Sequence, residues 1–256
     1  MISRNRIKYL RSLRTKKFRN EYRQFIAEGD KIVGDILRDH THRIRQLIAT
    51  SEWLSERHPK PDGRADEILE ADARDMAQIT TLETPPAALV VMDIPELSPD
   101  MQAISRSWSL ALDTIQDPGN LGTIIRTADW FGITHILCNE GCADCYNPKV
   151  VQASMGALFH LRVHYTDLSG IMKDLLSDPS FGIYGTFTGG LPVYDVIGAQ
   201  KGLLLFGNES RGISTELLPY ITARITIPPG RQEDPRVDSL NVAAAVAVVC
   251  SVFTRV

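Results

Sequence analysis

Three short polar segments in the second half of the chain each follow a hydrophobic run. The first contains Asn120 and Arg126, the second contains Glu209, and the third contains Ser239 and Asn241. Parallel α/β sheets bind their ligands at the carboxyl ends of the strands, so these side chains are predicted to surround one crevice. A guanidinium there can bind an anion such as a phosphate through its planar fork.

Each segment taken alone also has an ordinary structural interpretation. Asp117-Pro118-Gly119-Asn120 is typical of a turn between a strand and a helix, which would make Arg126 a surface residue of that helix. Ser239 would serve as the N-cap of the apolar helix that follows it. The glycines around Glu209 fit any turn between a strand and a helix. The order in which all three segments occur is therefore more informative than any one of them.

Their order and their residues resemble motifs 1, 2 and 3 of the SpoU, also called TrmH, family of RNA ribose 2′-O-methyltransferases. The resemblance extends from about Ser109 to the carboxyl terminus. It implies catalytic functions for Asn120, Arg126, Glu209, Ser239 and Asn241. It also implies that S-adenosylmethionine is bound, largely through backbone groups, at Thr186, Gly207, Ile227 and Leu240. One departure is the loop from Pro229 to Asp238, which is longer than the family pattern predicts.

The resemblance implies different tasks for the motifs. We expect Arg126 to hold the target phosphate and ribose, because a guanidinium with a pKa above about 12 is a reluctant proton acceptor. Asn120 would orient Arg126 or the substrate, and Ser239 with Asn241 would shape the pocket for the cofactor and the hydroxyl. The identity of the general base stays open.

The hydrophobic pattern places these motifs in the larger of two predicted α/β domains. From Trp108 onward strand-like and helix-like runs alternate, which is typical of a parallel sheet covered by helices. Strands are predicted at 109–112, 135–138, 182–185, 202–206 and 224–227. Helices are predicted to begin near Leu121, Pro148, Leu168, Ser214 and Leu240. The resemblance implies that this domain contains a deep trefoil knot and forms a homodimer whose active site borrows from the partner.

A stretch rich in proline and acidic residues separates the two domains. We predict an amino-terminal substrate (RNA)-binding domain at 1–96, a linker at 97–106 and a methyltransferase domain at 107–256. Within the first domain, strands are predicted at 25–27, 44–49 and 87–92, and helices at 31–38 and 72–79. The segments 7–10 and 25–29 are similar to the α/β substrate-binding domain that many SpoU proteins carry.

The amino terminus is strongly basic although the whole chain has a net charge of −3. Its first 24 residues contain nine Lys or Arg against a single acid, Glu21. Such a segment predicts a docking surface for RNA, because phosphate contacts supply most of the sequence-independent affinity for nucleic acid. A solvated helix face is the alternative. The predicted RNA-binding residues are Arg4, Arg6, Lys8, Arg11, Arg14, Lys16, Lys17 and Arg19.

Cys138, Cys142 and Cys145 have the Cys-x-x-x-Cys-x-x-Cys spacing of radical S-adenosylmethionine enzymes. Those enzymes place this segment near the first of many βα units, whereas here it lies beyond the middle of the chain. A zinc site would lack a fourth ligand close by, and His135 fits an ordinary strand residue. We therefore predict a loop with free thiols and no metal.

The leading functional hypothesis is S-adenosylmethionine-dependent 2′-O-methylation of a ribose in structured RNA. Ribosomal RNA is favoured over transfer RNA because the additional amino-terminal domain suits a large substrate. The alternatives are a non-catalytic RNA-binding protein that keeps the fold and a related knotted base methyltransferase, and both fit the Asn-Glu and Ser-Leu-Asn segments poorly. No hydrophobic run reaches the roughly 20 residues of a membrane span and no apolar signal core is present, so we expect a cytoplasmic protein.

Overall fold

The computed structural model describes residues 2–38, 42–56, 63–196, 200–230 and 238–254. In chain order its first elements are α1 (Arg4–Ser12), α2 (Lys16–Tyr22), β1 (Gln24–Glu28), α3 (Asp30–Arg38), β2 (Ile44–Ala49), α4 (Ser51–Glu56), β3 (Ala65–Glu70), α5 (Ala73–Ile79) and β4 (Ala88–Asp93). They are followed by α6 (Met101–Ile104), β5 (Trp108–Leu112), α7 (Pro118–Trp130), β6 (His135–Cys138), α8 (Pro148–Ser154), β7 (Arg162–Tyr165), α9 (Leu168–Leu175), β8 (Gly182–Pro192), β9 (Gly202–Phe206), β10 (Ala223–Thr226) and α10 (Val242–Phe253). The chain divides into two compact units, 1–96 with 144–159 and 97–143 with 160–256.

The first unit is built on a mixed sheet with the strand order β1-β4-β2-β3. β4 lies between β1 and β2 and is antiparallel to both, whereas β2 and β3 run parallel. Leu10 from α1 and Met76 from α5 are fully covered and pack with Ile48 and Leu89 of the sheet. This burial of one apolar stripe from each helix fixes α1, and with it the basic amino terminus, on the sheet.

A later part of the chain completes the first unit. The segment 144–159 contains α8, which packs against β1. The ring of Tyr146 lies 4.6 Å from that of Phe25, centroid to centroid. Burial raises the pKa of Tyr146 strongly. The segment falls within the predicted methyltransferase domain at 107–256, yet it belongs to the same compact unit as the amino-terminal residues.

The second unit contains a six-stranded sheet with the order β10-β8-β9-β5-β6-β7, and every described pair in it is parallel. Its central strands are buried on both faces, which explains continuous apolar runs such as Leu203-Leu204-Leu205. Met172 of α9 packs on the sheet beside Ile183 and Leu205. α7 and α10 pack against each other. The predicted α/β fold with a parallel sheet is confirmed.

Several elements differ from their predicted form for identifiable reasons. The helix predicted near Ser214 is a 3-10 turn, Thr215–Tyr220, that includes Pro219, whose missing N–H disfavours a longer helix. β8 continues to Pro192, well past the predicted 182–185, because its second half pairs with β10 after a register shift. β3 was not predicted, since three of its six residues are acids and none of the six is fully buried. Within the described residues, every helix is too short or too polar to cross a membrane.

Candidate active site

Motif 1 lies where β5 ends and α7 begins. The Asp117 carboxylate caps α7 by accepting a hydrogen bond from the backbone N–H of Asn120 at 2.7 Å. Pro118 occupies the first turn, where a missing N–H is harmless and the fixed φ favours a helix. The turn residues of this motif therefore start the helix, and the side chain of Asn120 projects from its first turn.

The side chain of Asn120 connects all three motifs. Its Nδ2 donates a hydrogen bond to Oε1 of Glu209 at 2.7 Å, and its Oδ1 accepts one from Nδ2 of Asn241 at 3.0 Å. We call these three residues the Asn-Glu-Asn group. Asn120 is half-buried, whereas Glu209 and Asn241 are exposed, so the geometry rests on the mutual hydrogen bonds and on the segments that carry the residues. Asn120 is thus joined to residues that lie 89 and 121 positions later in the sequence.

Glu209 belongs to the motif 2 turn, which we define as residues 207–212. The backbones of Asn208 and Gly212 exchange two hydrogen bonds, of 3.0 and 2.8 Å. Oδ1 of Asn208 accepts from two further N–H groups of the turn, and its Nδ2 donates to the carbonyl of Thr114 at 2.9 Å. A Cβ at Gly207 would lie 2.3 Å from the carbonyl carbon of Gly212, so the closed turn requires a glycine there.

Motif 3 ends in Asn241, which is the N-cap of α10. Its Oδ1 accepts hydrogen bonds from the N–H groups of Ala243 and Ala244, at 2.9 and 3.3 Å. The interpretation of Ser239 as the cap is therefore wrong, because the helix begins two residues later. One Asn side chain caps the helix through its oxygen and contacts Asn120 through its nitrogen. In the preceding loop, residues 231–237 lie outside the described residues.

A cavity of about 370 Å³ opens beside the motif 2 turn. Its walls come from β8, β10, the motif 2 turn and α10. All the residues predicted to bind the cofactor line it, namely Thr186, Gly207, Ile227 and Leu240. Two of the predicted catalytic residues, Glu209 and Ser239, line it as well. The volume falls in the range of small-molecule sites, roughly 300–1,000 Å³.

The cavity also has lining residues that the sequence did not single out. Phe187 contributes an aromatic wall, and the guanidinium of Arg224 stacks on this ring at 3.9 Å from its centroid. Phe206, Thr226 and Val242 complete the apolar part of the wall. Phe206 and Thr226 are the last residues of strands that reach the cavity. Their position at the strand ends was the signal by which the sequence could have identified them as lining residues.

Arg126 stands apart from this cluster. It lies six residues after Asn120 on the exposed face of α7. Its side chain forms no hydrogen bond or ion pair with any described residue. The amide of Asn120 is instead engaged with Glu209 and Asn241, so the structure does not show Asn120 orienting Arg126. Because no described residue pairs with it, the guanidinium can bind a ligand.

The predicted RNA-binding residues fall into two sets. Arg19 is 1 % exposed and donates hydrogen bonds to Asp144 and to the carbonyls of Leu13 and Arg14. Arg19 is therefore withdrawn as an RNA contact. Arg14 binds carbonyls at the end of α5, and Arg6 forms a two-point pair with Glu67 at 2.7 and 3.1 Å. The remaining five residues are exposed, namely Arg4, Lys8, Arg11, Lys16 and Lys17.

The cysteines lie in the interior as free thiols. Cys142 accepts a hydrogen bond from the N–H of Ile115 and donates one to the carbonyl of Leu112. The pKa of Cys142 is lowered, chiefly by a hydrogen bond from Cys138. In the part of the chain that is described, no group of three or more potential ligands is arranged to hold a metal ion.

Fold and site together define a class of protein. A parallel α/β sheet carries a cavity of small-molecule size beside turns that follow its strands, and polar side chains from three motifs meet at its edge. This is the arrangement of an enzyme that binds a nucleotide-like ligand in the crevice outside the carboxyl ends of its strands.

The chain belongs to the SpoU rRNA Methylase family, whose model matches residues 107–251. Residues 4–89 match the MRM3-like substrate binding domain. The chain is 30 % identical to the 23S rRNA (guanosine(2553)-2′-O)-methyltransferase of Bacillus subtilis, over 95 % of this chain and 94 % of that protein.

Solved structures resemble the whole chain. A TrmH-family protein from Porphyromonas gingivalis is 39 % identical, with a TM-score of 0.85 over 99 % of this chain and 98 % of that one. An AdoMet-bound rRNA methyltransferase from Sinorhizobium meliloti is 28 % identical, with a TM-score of 0.85 over 98 % of this chain and 95 % of that one. The predicted membership of the SpoU family is thereby confirmed.

Proposed function

We propose that this protein transfers a methyl group from S-adenosylmethionine to a ribose 2′-hydroxyl of ribosomal RNA. The observation that carries the proposal is the Asn-Glu-Asn group at the edge of the cavity, because it joins the three family motifs in one place. The Bacillus subtilis relative, similar over nearly its whole length, is named as a methyltransferase of that hydroxyl in 23S rRNA.

The residues of the cavity fit the proposed cofactor. Gly207 contributes backbone to the wall of the cavity, and Phe187, Ile227 and Leu240 offer apolar contacts to an adenine ring. The Glu209 carboxylate on the wall favours a cationic ligand through Coulomb attraction. The AdoMet-bound structure from Sinorhizobium meliloti has the same fold over 98 % of this chain. When bound, S-adenosylmethionine supplies a methyl group already activated by the sulfonium.

Because the methyl donor is activated, the protein chiefly has to align the ribose hydroxyl and assist loss of its proton. Arg126 is proposed to hold the phosphate and ribose of the target nucleotide through its planar fork. Asn120, Glu209 and Asn241 are proposed to fix the edge of the pocket that the hydroxyl enters. Ser239, which lines the cavity, is proposed to contact the cofactor or the hydroxyl.

We propose that cations of the first unit provide the electrostatic attraction for RNA. The match to a substrate binding domain at 4–89 supports this assignment. Arg4, Lys8 and Arg11 lie along one exposed face of α1 and border a cavity of about 320 Å³ together with Ile7 and Gln78. The three cations are not paired with any described acid, so their charges are available to phosphates.

We further propose a cytoplasmic homodimer with a trefoil knot at the carboxyl end. Support for a subunit contact comes from α7, where Trp130 is 84 % exposed, and from α10, where Ala244 is also exposed. Support for the knot comes from the return of the chain end to motif 1, since α10 packs on α7 and Asn241 contacts Asn120. Light scattering during size-exclusion chromatography tests the dimer.

The deciding experiment maps ribose methylation across ribosomal and transfer RNA from the source organism with and without the gene. We expect loss of a 2′-O-methyl group from ribosomal RNA when the gene is deleted, and its return on complementation. Loss restricted to transfer RNA would replace the proposed substrate. Unchanged ribose methylation in both would refute the proposal.

A further inference from the structure

A buried polar cluster lies beneath the motif 2 turn. At its centre is Asp113, whose side chain is 0 % exposed. Its carboxylate accepts hydrogen bonds from Oγ1 of Thr114 at 2.9 Å, from Nδ2 of Asn139 at 2.7 Å and from the N–H of Ser214 at 2.6 Å. A buried carboxylate is costly unless donors surround it, and here each of its oxygens has a donor. Asp113 does not line the cavity.

These contacts join three separate segments of the second unit. Asp113 follows β5 directly, Asn139 follows β6 directly, and Ser214 lies two residues after the motif 2 turn. One side chain therefore ties the ends of two neighbouring strands to the exit of the turn that carries Glu209.

The cluster also holds Thr114 in an unusual conformation. Its φ of 61° is left-handed, which is rare for a β-branched residue and requires support from the surroundings. Its hydroxyl is bound by Asp113, and its N–H donates to Oδ1 of Asn139 at 2.9 Å. A Cβ at Gly141 would lie 3.0 Å from Oγ1 of Thr114, so a glycine leaves room for this side chain.

The carbonyl of Thr114 then binds Asn208. Nδ2 of Asn208 donates to that carbonyl at 2.9 Å, while its Oδ1 accepts the N–H groups that shape the motif 2 turn. Hydrogen bonds and neighbouring residues thus form a continuous connection from Asp113 through Thr114 and Asn208 to Glu209.

We propose that Asp113 is a positioning residue for methyl transfer, which fixes the motif 2 turn so that Glu209 meets Asn120. The inference rests on the proposed function. It assigns a task to a charged side chain that touches neither the cavity nor the Asn-Glu-Asn group.

The first test compares Asp113→Asn with the wild type. An amide side chain has one acceptor oxygen, whereas the carboxylate has two. The NH2 group of the amide would therefore face one of the donors that the Asp113 carboxylate binds. We expect kcat at saturating cofactor and RNA to fall about 100-fold, the loss that a misplacement of about 1 Å produces, while KM for RNA stays unchanged. The matched control is Asp178→Asn. Asp178 also accepts several hydrogen bonds, from Ser180 and Lys201, but lies near the amino ends of β8 and β9.

The second test exchanges the two groups in the double variant Asp113→Asn with Asn139→Asp. The amide at 113 can donate to the carboxylate at 139 and still accept from Ser214. The carboxylate at 139 can accept from the N–H and the hydroxyl of Thr114. We expect this exchange to restore most of kcat. If Asp113→Asn does not fold, the exchanged variant alone tests the proposal. A folded exchanged variant whose kcat is still about 100-fold below that of the wild type would overturn the proposal.

The outcomes separate this inference from the proposed function. An inactive wild type on ribosomal RNA from a deletion strain would refute the function. An active wild type together with a folded Asp113→Asn of unchanged kcat would refute the positioning role alone. A lower melting temperature without a change in kcat per folded enzyme would assign Asp113 to stability only.

Discussion

The two groups of polar residues in this chain are held in opposite ways. In the second unit, the side chains of the Asn-Glu-Asn group bind one another. Asn120 and Asn241 lie at capped helix starts, and Glu209 lies in a turn closed by backbone hydrogen bonds. On α1 of the first unit, Arg4, Lys8 and Arg11 extend from an exposed face without a described partner. Alignment of a reaction requires fixed geometry, whereas attraction of a polyanion requires only charge density. We therefore expect substitutions in the two regions to differ in kind.

The largest effect is expected at Arg126. Arg126→Ala should lower kcat roughly 1,000-fold, because a group that holds the reacting ribose and phosphate acts in the transition state. Cofactor affinity measured by calorimetry should stay unchanged, since Arg126 does not line the cavity. Arg126→Lys should recover little, because a flexible ammonium does not reproduce the fork.

Arg162→Ala is the control for this experiment, since it removes an exposed arginine from β7. Equal losses in both variants would mean that general charge, and not position on α7, supports turnover. Full recovery by Lys would show that a positive charge alone is sufficient at position 126.

A substitution of Arg19 tests whether this residue of the basic amino terminus stabilises the fold and does not bind RNA. Arg19→Met should lower the free energy of unfolding by about 3 kcal/mol, because the Asp144 carboxylate, 14 % exposed, is left without its partner. Arg6→Met is the control. The Arg6 and Glu67 side chains are 32 % and 39 % exposed, so its loss should cost less than about 1 kcal/mol.

Denaturant titration of both variants gives the comparison. Adding Asp144→Leu to Arg19→Met should recover part of the stability, because no unpaired carboxylate remains. Equal destabilisation by Arg19→Met and Arg6→Met would contradict the structural assignment of Arg19.

The contrast between these arginines shows what the sequence could and could not predict. Charge counting treats Arg4 and Arg19 alike, because both occur in one basic segment. Burial of Arg19 depends on Asp144, 125 positions away, and no local pattern reports such a pairing. Similarly, the bounds of β6 and β9 were predicted because short apolar runs end there sharply, whereas the packing of 144–159 with the first unit depends on tertiary contacts.

For the site, the sequence predicted which motifs meet but not how. The resemblance identified Asn120, Glu209 and Asn241 one by one. Their mutual hydrogen bonds follow from sheet order, because β5 pairs with β9 and α10 packs on α7. The same reasoning missed Asn208 and Asp113, since a polar residue within two positions of a strand end also fits an ordinary turn.

A third experiment measures RNA attraction directly. The triple variant with Gln at Arg4, Lys8 and Arg11 should bind ribosomal RNA more weakly and lower the slope of log affinity against log salt by roughly 2 to 3, about one released counterion per lost phosphate contact. Cofactor affinity should not change. The control removes three exposed cations of the second unit, with Gln at Arg106, Arg162 and Lys173. An equal change of slope in both triple variants would mean that α1 has no special part in RNA binding.

The smallest effect is expected for Glu209→Gln, which keeps an acceptor for Nδ2 of Asn120 but removes the negative charge from the cavity wall. S-adenosylmethionine carries a sulfonium, whereas its demethylated product is neutral at sulfur. The variant should therefore bind S-adenosylmethionine about fivefold more weakly, or ~1 kcal/mol, and the product nearly as well as the wild type does. Calorimetry with both ligands gives the ratio. Glu216→Gln, an equal charge change on the exposed 3-10 turn outside this cavity, should leave the ratio unchanged. If Glu209→Gln weakened both ligands equally, Glu209 would act by holding the turn in place, and the charge of the carboxylate would have no part in cofactor recognition.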